Sequence, residues 1–253
     1  MGTVTAAAER ERRWLKRFGR SRPAAGVQLL CFPHAGGNAG MFRHWAARLP
    51  WYVEPVAVQL PGRADRFRET PYDRMEPLID DLVDVVEPLL GRPFACYGAS
   101  MGARVAWALA LALRERGLPA PRALFLGASG APGGDDGSAR WEGRSDGLEG
   151  YVREMGGTPD AVLAEPSLLA ALLPTLRADL TVVSSHRYRS ATPLDTPIHG
   201  FAGADDDEAS PERMQGWSTE TTGRFDLDVY PGGHFFDADA EQAVIEAIGR
   251  DLA

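Results

Sequence analysis

The sequence predicts an α/β protein: a mostly parallel sheet flanked by helices, with a helical insertion late in the chain. Three observations carry this. Short, almost wholly apolar runs alternate with longer segments of helical periodicity, the βαβα rhythm that builds a parallel sheet. At 94–115 an apolar run enters Gly98-Ala99-Ser100-Met101-Gly102 and leaves as a strongly helical segment. Between Ser129 and about Pro193 the rhythm stops, and only helix-like pieces remain.

Taken in order, residues 1–22 are basic: Arg10, Arg12, Arg13, Lys16, Arg17, Arg20 and Arg22 stand against Glu9 and Glu11. Trp14, Leu15 and Phe18 share one side of a helical wheel, so an amphipathic N-terminal arm is expected, packed on the domain or partly loose. A strand at 27–32 ends in Pro33-His34-Ala35-Gly36-Gly37-Asn38. A helix follows at 41–49, with Phe42, Trp45, Ala46 and Leu49 at helical spacing. The strand at 55–60 runs into Pro61-Gly62-Arg63-Ala64-Asp65-Arg66. Residues 75–90 place Leu78, Leu82, Val85, Val86 and Leu89 on one helical face and acids on the other. Strands at 94–97 and 122–128 flank the helix after Ser100. Residues 130–147, rich in Gly, Asp and Ser, read as a mobile loop, and helical pieces follow at 148–155, 159–163 and 167–184. This insertion, about 130–192, lies within one domain spanning 1–253 and is expected to act as a lid. The sheet resumes at 197–202 and 225–230, and a helix at 239–252 closes the domain.

The bulk properties exclude several functions. A chain of 253 residues suits one α/β domain with a large core. A net charge of −8 gives a nucleic-acid role no electrostatic support. No apolar run is expected to reach the length of a membrane span, and the N-terminus lacks the apolar core of a signal peptide. Cys31 and Cys96 sit in apolar strand-like runs and read as small buried thiols, not as a disulfide framework. A cytoplasmic monomer is expected.

The chemistry is concentrated around Ser100. Strand, Gly-x-Ser-x-Gly and helix together are the sequence form of a nucleophile elbow, in which small neighbours let strand and helix approach and the hydroxyl projects from the turn. A serine nucleophile needs a base, an acid that orients the base, and donors for the oxyanion. In α/β-hydrolases the order along the chain is serine, acid, histidine. Of the five histidines, His34 and His44 precede the serine, His186 lies in the insertion, and His199 lies inside a strand ahead of the best acid. That leaves His234, in a Gly-Gly loop directly after the last strand. The acid belongs on the loop Gly203-Ala204-Asp205-Asp206-Asp207-Glu208; the usual hydrolase spacing Gly-x-x-Asp points to Asp206, with Asp205 as the alternative. The candidate oxyanion donors are the backbone N–H groups of Met101 and of Ala35.

As a set, Pro33-His34-Ala35-Gly36-Gly37, Leu60-Pro61-Gly62-Arg63 with Arg66, Gly98-Ala99-Ser100-Met101-Gly102-Ala103, Gly203…Asp206 and Gly233-His234-Phe235-Phe236 resemble a type II thioesterase. These are free-standing α/β-hydrolases that accompany polyketide synthases and nonribosomal peptide synthetases. The resemblance runs from about Val27 to the C-terminus. It implies the α/β-hydrolase fold and hydrolysis of acyl or aminoacyl thioesters on the phosphopantetheine arm of acyl or peptidyl carrier proteins, which clears stalled synthases. It implies no metal and no cofactor. One departure is visible: Ala99 stands where the family usually has histidine, with an expected effect on packing or substrate fit.

Carrier proteins are usually acidic, as this chain is, so docking is expected through apolar surface on the insertion or a local basic patch. His34, Arg63 and Arg66 are the candidate substrate- or carrier-binding residues. An arginine in such a loop can instead brace it by a salt bridge, and His34 can shape its own loop by hydrogen bonding. Two other readings use the same sequence: an esterase or lipase on small free esters, or a non-catalytic binding module on a hydrolase scaffold. The complete Ser, Asp, His set argues against the second.

Overall fold

A computed structural model describes residues 2–19, 22, 24–133, 141–186 and 192–253, with side chains from residue 8 onward. The chain runs α1 (Gly2–Trp14), β1 (Leu15–Lys16), β2 (Val27–Phe32), α2 (Trp45–Arg48), β3 (Val53–Val58), α3 (Met75–Val86), β4 (Phe94–Ala99), α4 (Met101–Glu115) and β5 (Leu124–Gly127). It continues through α5 (Gly147–Met155), α6 (Asp160–Leu163), α7 (Pro166–Ser184), β6 (Ile198–Gly203), α8 (Pro211–Gln215), β7 (Phe225–Tyr230) and α9 (Ala238–Asp251). The expected loop at 130–147 falls partly on 134–140, outside the described residues.

The strands form one sheet in the order β1-β3-β2-β4-β5-β6-β7, parallel throughout except for β1. The central strands are buried on both faces, which is why they read as mostly apolar runs, with Gln28, Glu54 and His199 the buried polar residues among them. One face packs on α3 and α4 through residues such as Leu82, Val86, Trp107 and Leu109. The other packs on α2 and α9 through Trp45, Phe125, Val244 and Ile248. The strand order reverses between β2 and β4. In open α/β sheets the crevice outside the strand ends at such a switch point receives the ligand.

The strand expected at 55–60 lies two residues earlier, at Val53–Val58, and three segments differ in kind from expectation, the last two for local reasons. The arm is not a single amphipathic helix: α1 stops at Trp14, and β1 pairs antiparallel with β3, Leu15 opposite Val58. The pairing covers part of a sheet edge and buries Trp14 and Leu15, while Phe18 packs against the opposite face. The helix expected at 41–49 is a 3₁₀ turn, Ala39–Phe42, opened by the Asn38 side chain accepting from Gly40 N–H, followed by the four-residue α2. The segment 75–90 is α-helical only to Val86, because Pro88 has no N–H to donate, and it ends in a 3₁₀ turn.

α7 also corrects the membrane argument. Its 19 residues, with mean hydropathy 1.3, are long and apolar enough to cross a bilayer by length and composition alone. In this fold α7 lies against the sheet end and α5, sharing a small core of Leu148, Tyr151, Val152 and Leu169. Its Asp179 is ion-paired to the body of the domain.

The β4–α4 crossing is close enough to dictate sequence. A Cβ on Gly98 would run into the carbonyl of Gly102, and a Cβ on Gly102 into the carbonyl of Phe32. Backbone, unlike a side-chain tip, cannot swing away. Gly102→Ala should therefore lower the unfolding free energy by about 3 kcal/mol, as overpacking at a rigid site does. Urea denaturation tests this; an unchanged midpoint would mean that α4 can shift away from β2.

Candidate active site

Ser100 sits between β4 and α4 at φ 53°, ψ −118°, a positive φ that few non-glycine residues adopt. Its N–H donates to the Gly127 carbonyl at 2.8 Å, and its own carbonyl accepts from Ala103 N–H at 3.0 Å, so the turn is held from both sides. Met101 opens α4, and its N–H is among those a helix start leaves without an intrahelical acceptor.

The loops after β6 and β7 bring the other two residues to this turn. His234 Nε2 lies 3.0 Å from Ser100 Oγ, and His234 Nδ1 lies 2.9 Å from Asp206 Oδ2. A carboxylate only accepts, so Nδ1 carries the proton and Nε2 is left to accept from the serine hydroxyl. Asp206 Oδ1 accepts from the N–H groups of Glu208 at 2.8 Å and Ala209 at 3.0 Å, which fixes the carboxylate plane. Burial pushes this carboxyl up. The hydrogen bond and charge of His234, with the two loop amides, outweigh that and hold it below the usual range. Asp205 is exposed, and its backbone N–H donates to the Gly232 carbonyl at 2.9 Å. The acidic loop thus meets the imidazole through Asp206. Ser210, not one of these acids, caps α8.

Ala35 borders the small cavity, about 40 Å³, into which Ser100 and Met101 face. A second cavity, about 160 Å³ and mostly apolar, lies between the insertion and the loops after β2 and β3; Val152, Leu169, Leu176, His34 and Phe235 line it. His34 Nδ1 lies 2.8 Å from the Ala35 carbonyl, so this nitrogen must be the protonated one. Burial pushes the His34 imidazole down, partly offset by that bond, so the ring is neutral at pH 7.

The family model of the thioesterase domain matches residues 27–252. The chain belongs to the thioesterase family. Gramicidin S biosynthesis protein GrsT of Aneurinibacillus migulanus is 32% identical over 232 residues, 90% of each chain. The RedJ thioesterase of the prodiginine pathway in Streptomyces coelicolor superposes with a TM-score of 0.83 at 38% identity, over 91% of this chain and 87% of its own. BorB, a type II thioesterase from the borrelidin biosynthetic cluster, gives a TM-score of 0.77 at 33% identity, over 94% of this chain and 96% of its own.

In this thioesterase Arg63 and Arg66 do not present themselves to a carrier, and the docking expectation is corrected. Arg63 is buried and grips Asp179 with both nitrogens of its fork, at 2.5 and 2.7 Å. Arg66 is buried over the Trp14 ring and bonds to the Gln59 carbonyl and to Glu69, whose carboxyl it draws down to about 2. Desolvating a guanidinium is tolerable only with such partners, so both residues brace loops.

Two further residues of the thioesterase site had no role assigned to them from the sequence, although Phe235 lies in the Gly233-His234-Phe235-Phe236 element. Phe235 stands edge-on to both His34 and His234, at ring separations of 5.0 and 5.2 Å. Asp179 bonds the loop after β2 through Gly36 N–H at 2.7 Å. A signal for Asp179 was present: it is the lone acid in a largely apolar helix, and acids are almost never fully buried unless paired.

Proposed function

We propose that the chain hydrolyses acyl or aminoacyl thioesters carried on the phosphopantetheine arms of acyl or peptidyl carrier proteins, and so clears stalled synthases of polyketide or nonribosomal peptide assembly. The observation that carries this reading is His234 bridging Ser100 and Asp206 inside a thioesterase-family fold. Ser100 Oγ attacks the thioester carbonyl as His234 Nε2 takes its proton. The N–H groups of Ala35 and Met101 receive the oxyanion. Collapse breaks the C–S bond, and His234 returns the proton to the departing thiol. Water, deprotonated by the same nitrogen, attacks the acyl-serine; the second collapse releases the carboxylic acid and restores Ser100. Asp206 holds the imidazole tautomer throughout. We place the reaction in the cytoplasm, where two buried free thiols remain reduced.

The insertion, about 130–192, acts as a lid in this reading, and the apolar cavity beneath it receives the acyl chain. With Arg63 and Arg66 inside the protein, carrier docking falls to exposed apolar residues, Leu168 and Leu172 on α7 and Phe67 after β3. A carrier then adds binding energy remote from the reacting carbonyl. The expected result is a kcat/KM for an acyl group on its carrier at least about tenfold above that for the same acyl group on a short free thiol, about 1.4 kcal/mol of added transition-state binding. Parallel steady-state assays on the two substrates test this. Equal efficiencies would leave a general thioesterase, and a preference for simple oxygen esters would favour the esterase reading.

A further inference from the structure

The loop that offers Ala35 N–H contains Gly36 and Gly37, with Gly36 at φ +75°, and such a loop has little orientation of its own. The peptide groups around Ala35 are nevertheless all tied. The His34 carbonyl, on the same peptide as Ala35 N–H, accepts from Gly37 N–H at 2.9 Å. The next peptide is held at both ends: the Ala35 carbonyl accepts from His34 Nδ1 at 2.8 Å, and Gly36 N–H donates to Asp179 Oδ2 at 2.7 Å. The Gly37 carbonyl accepts from Arg63 Nη1 at 3.2 Å. Two of these ties converge on the buried Arg63–Asp179 pair, and Asp179 comes from the inserted helix α7, not from the sheet. One turn earlier, Thr175 Oγ1 donates to the Gly62 carbonyl at 2.8 Å, so the same face of α7 also grips the loop after β3.

We propose that Asp179 is a positioning residue for oxyanion stabilisation. Through Gly36 N–H it sets the orientation of the Ala35 amide, and Arg63 both aims the carboxylate and neutralises a charge that would otherwise oppose the oxyanion. The insertion is thereby part of the hydrolytic machinery as well as its cover. This rests on the serine-hydrolase reading above, with Ala35 as an oxyanion donor.

The test uses a double variant, Arg63→Met with Asp179→Leu. Replacing both members of a buried ion pair by apolar groups of similar size can leave a protein as stable as before, whereas removing one member strands a charge. The double variant should therefore unfold close to the wild-type temperature but leave Gly36 N–H without its acceptor. KM for a carrier-bound thioester should stay within about threefold. The kcat should fall about thirtyfold, less than the 10²–10³ seen when an oxyanion donor is removed outright. Affinity for an acyl trifluoromethyl ketone, which captures the serine as a tetrahedral adduct, should fall in parallel. Arg114→Met is the control: it removes a brace between α4 and the end of the insertion, where Arg114 Nη1 donates to the Thr192 and Pro193 carbonyls at 2.7 and 3.0 Å, without touching Gly36 or the acyl cavity, and should lower stability with kcat unchanged.

A double variant with kcat and ketone affinity within threefold of wild type would overturn the proposal and reduce the pair to a structural brace. Should that variant fail to fold, Asp179→Glu keeps the pair but moves the carboxylate by one methylene. It should lose at least tenfold in kcat, and unchanged kcat would be equally fatal. A wild-type protein without thioesterase activity, or a Ser100→Ala variant that keeps it, would sink the serine-hydrolase reading itself. An active wild type with an unaffected double variant sinks only the role of Asp179.

Discussion

Ser100→Ala should lower thioester hydrolysis by a factor of about 10⁴ or more while leaving the fold intact. The residue is placed for this alone. Its backbone is held by Gly127 and Ala103, neither bond involves the hydroxyl, and alanine inherits the same turn. The hydroxyl itself meets His234 Nε2 at 3.0 Å, so its loss removes the nucleophile of the first step and the acyl-enzyme of the second. The rate should be measured with a carrier-bound substrate, alongside circular dichroism to show an unchanged fold. A variant keeping more than a tenth of the activity would remove Ser100 from the reaction.

Asp206→Asn should cost roughly 10³–10⁴ in kcat, and Asp205→Asn less than about threefold. The asymmetry follows from one residue of register. Asp206 accepts from His234 and from two loop amides at once, so an asparagine in its place either turns an N–H toward those donors or lets the ring adopt the other tautomer. Asp205 points to solvent, and its backbone alone serves the loop. Measuring the two variants side by side makes their ratio the observable. A ratio near one would require another orienting acid. Asp226 is paired with Arg224, and Asp237 caps α9, so neither is free to take the role without rearrangement.

The sheet could be read from the sequence because most of its strands are buried on both faces and therefore spelled as mostly apolar runs, while the half-buried β7 alternates apolar and acidic residues. β2 and β7 were legible to the residue, Val27–Phe32 and Phe225–Tyr230. The Ser, Asp, His set was legible because chain order and the Gly-x-x-Asp spacing are local features, and the fold brings those three side chains together. What failed was non-local. A two-residue strand such as β1 has no periodicity to detect, and its existence depends on an edge of β3 that the arm cannot announce. Arg63 and Arg66 look alike in sequence whether they face a carrier or a buried acid, and the acid that decides it for Arg63 lies on α7, far along the chain. The loop after β2 was read through its own residues, whereas its geometry is set from outside by Asp179.

The backbone at Ser100 has a cost for the whole molecule. Residues held in such sparsely populated conformations carry about 1–3 kcal/mol of strain each, a large share of the roughly 5–15 kcal/mol by which a domain is stable. The surrounding β2, β4 and α4 must absorb it, and they do so with backbones in contact at Gly98 and Gly102, where no side chain fits. Heat tolerance and reactivity are therefore opposed at this one turn. Breeding a hardier variant of this protein has to reinforce positions away from the elbow, since a mutation that relaxes the turn also withdraws the hydroxyl from His234.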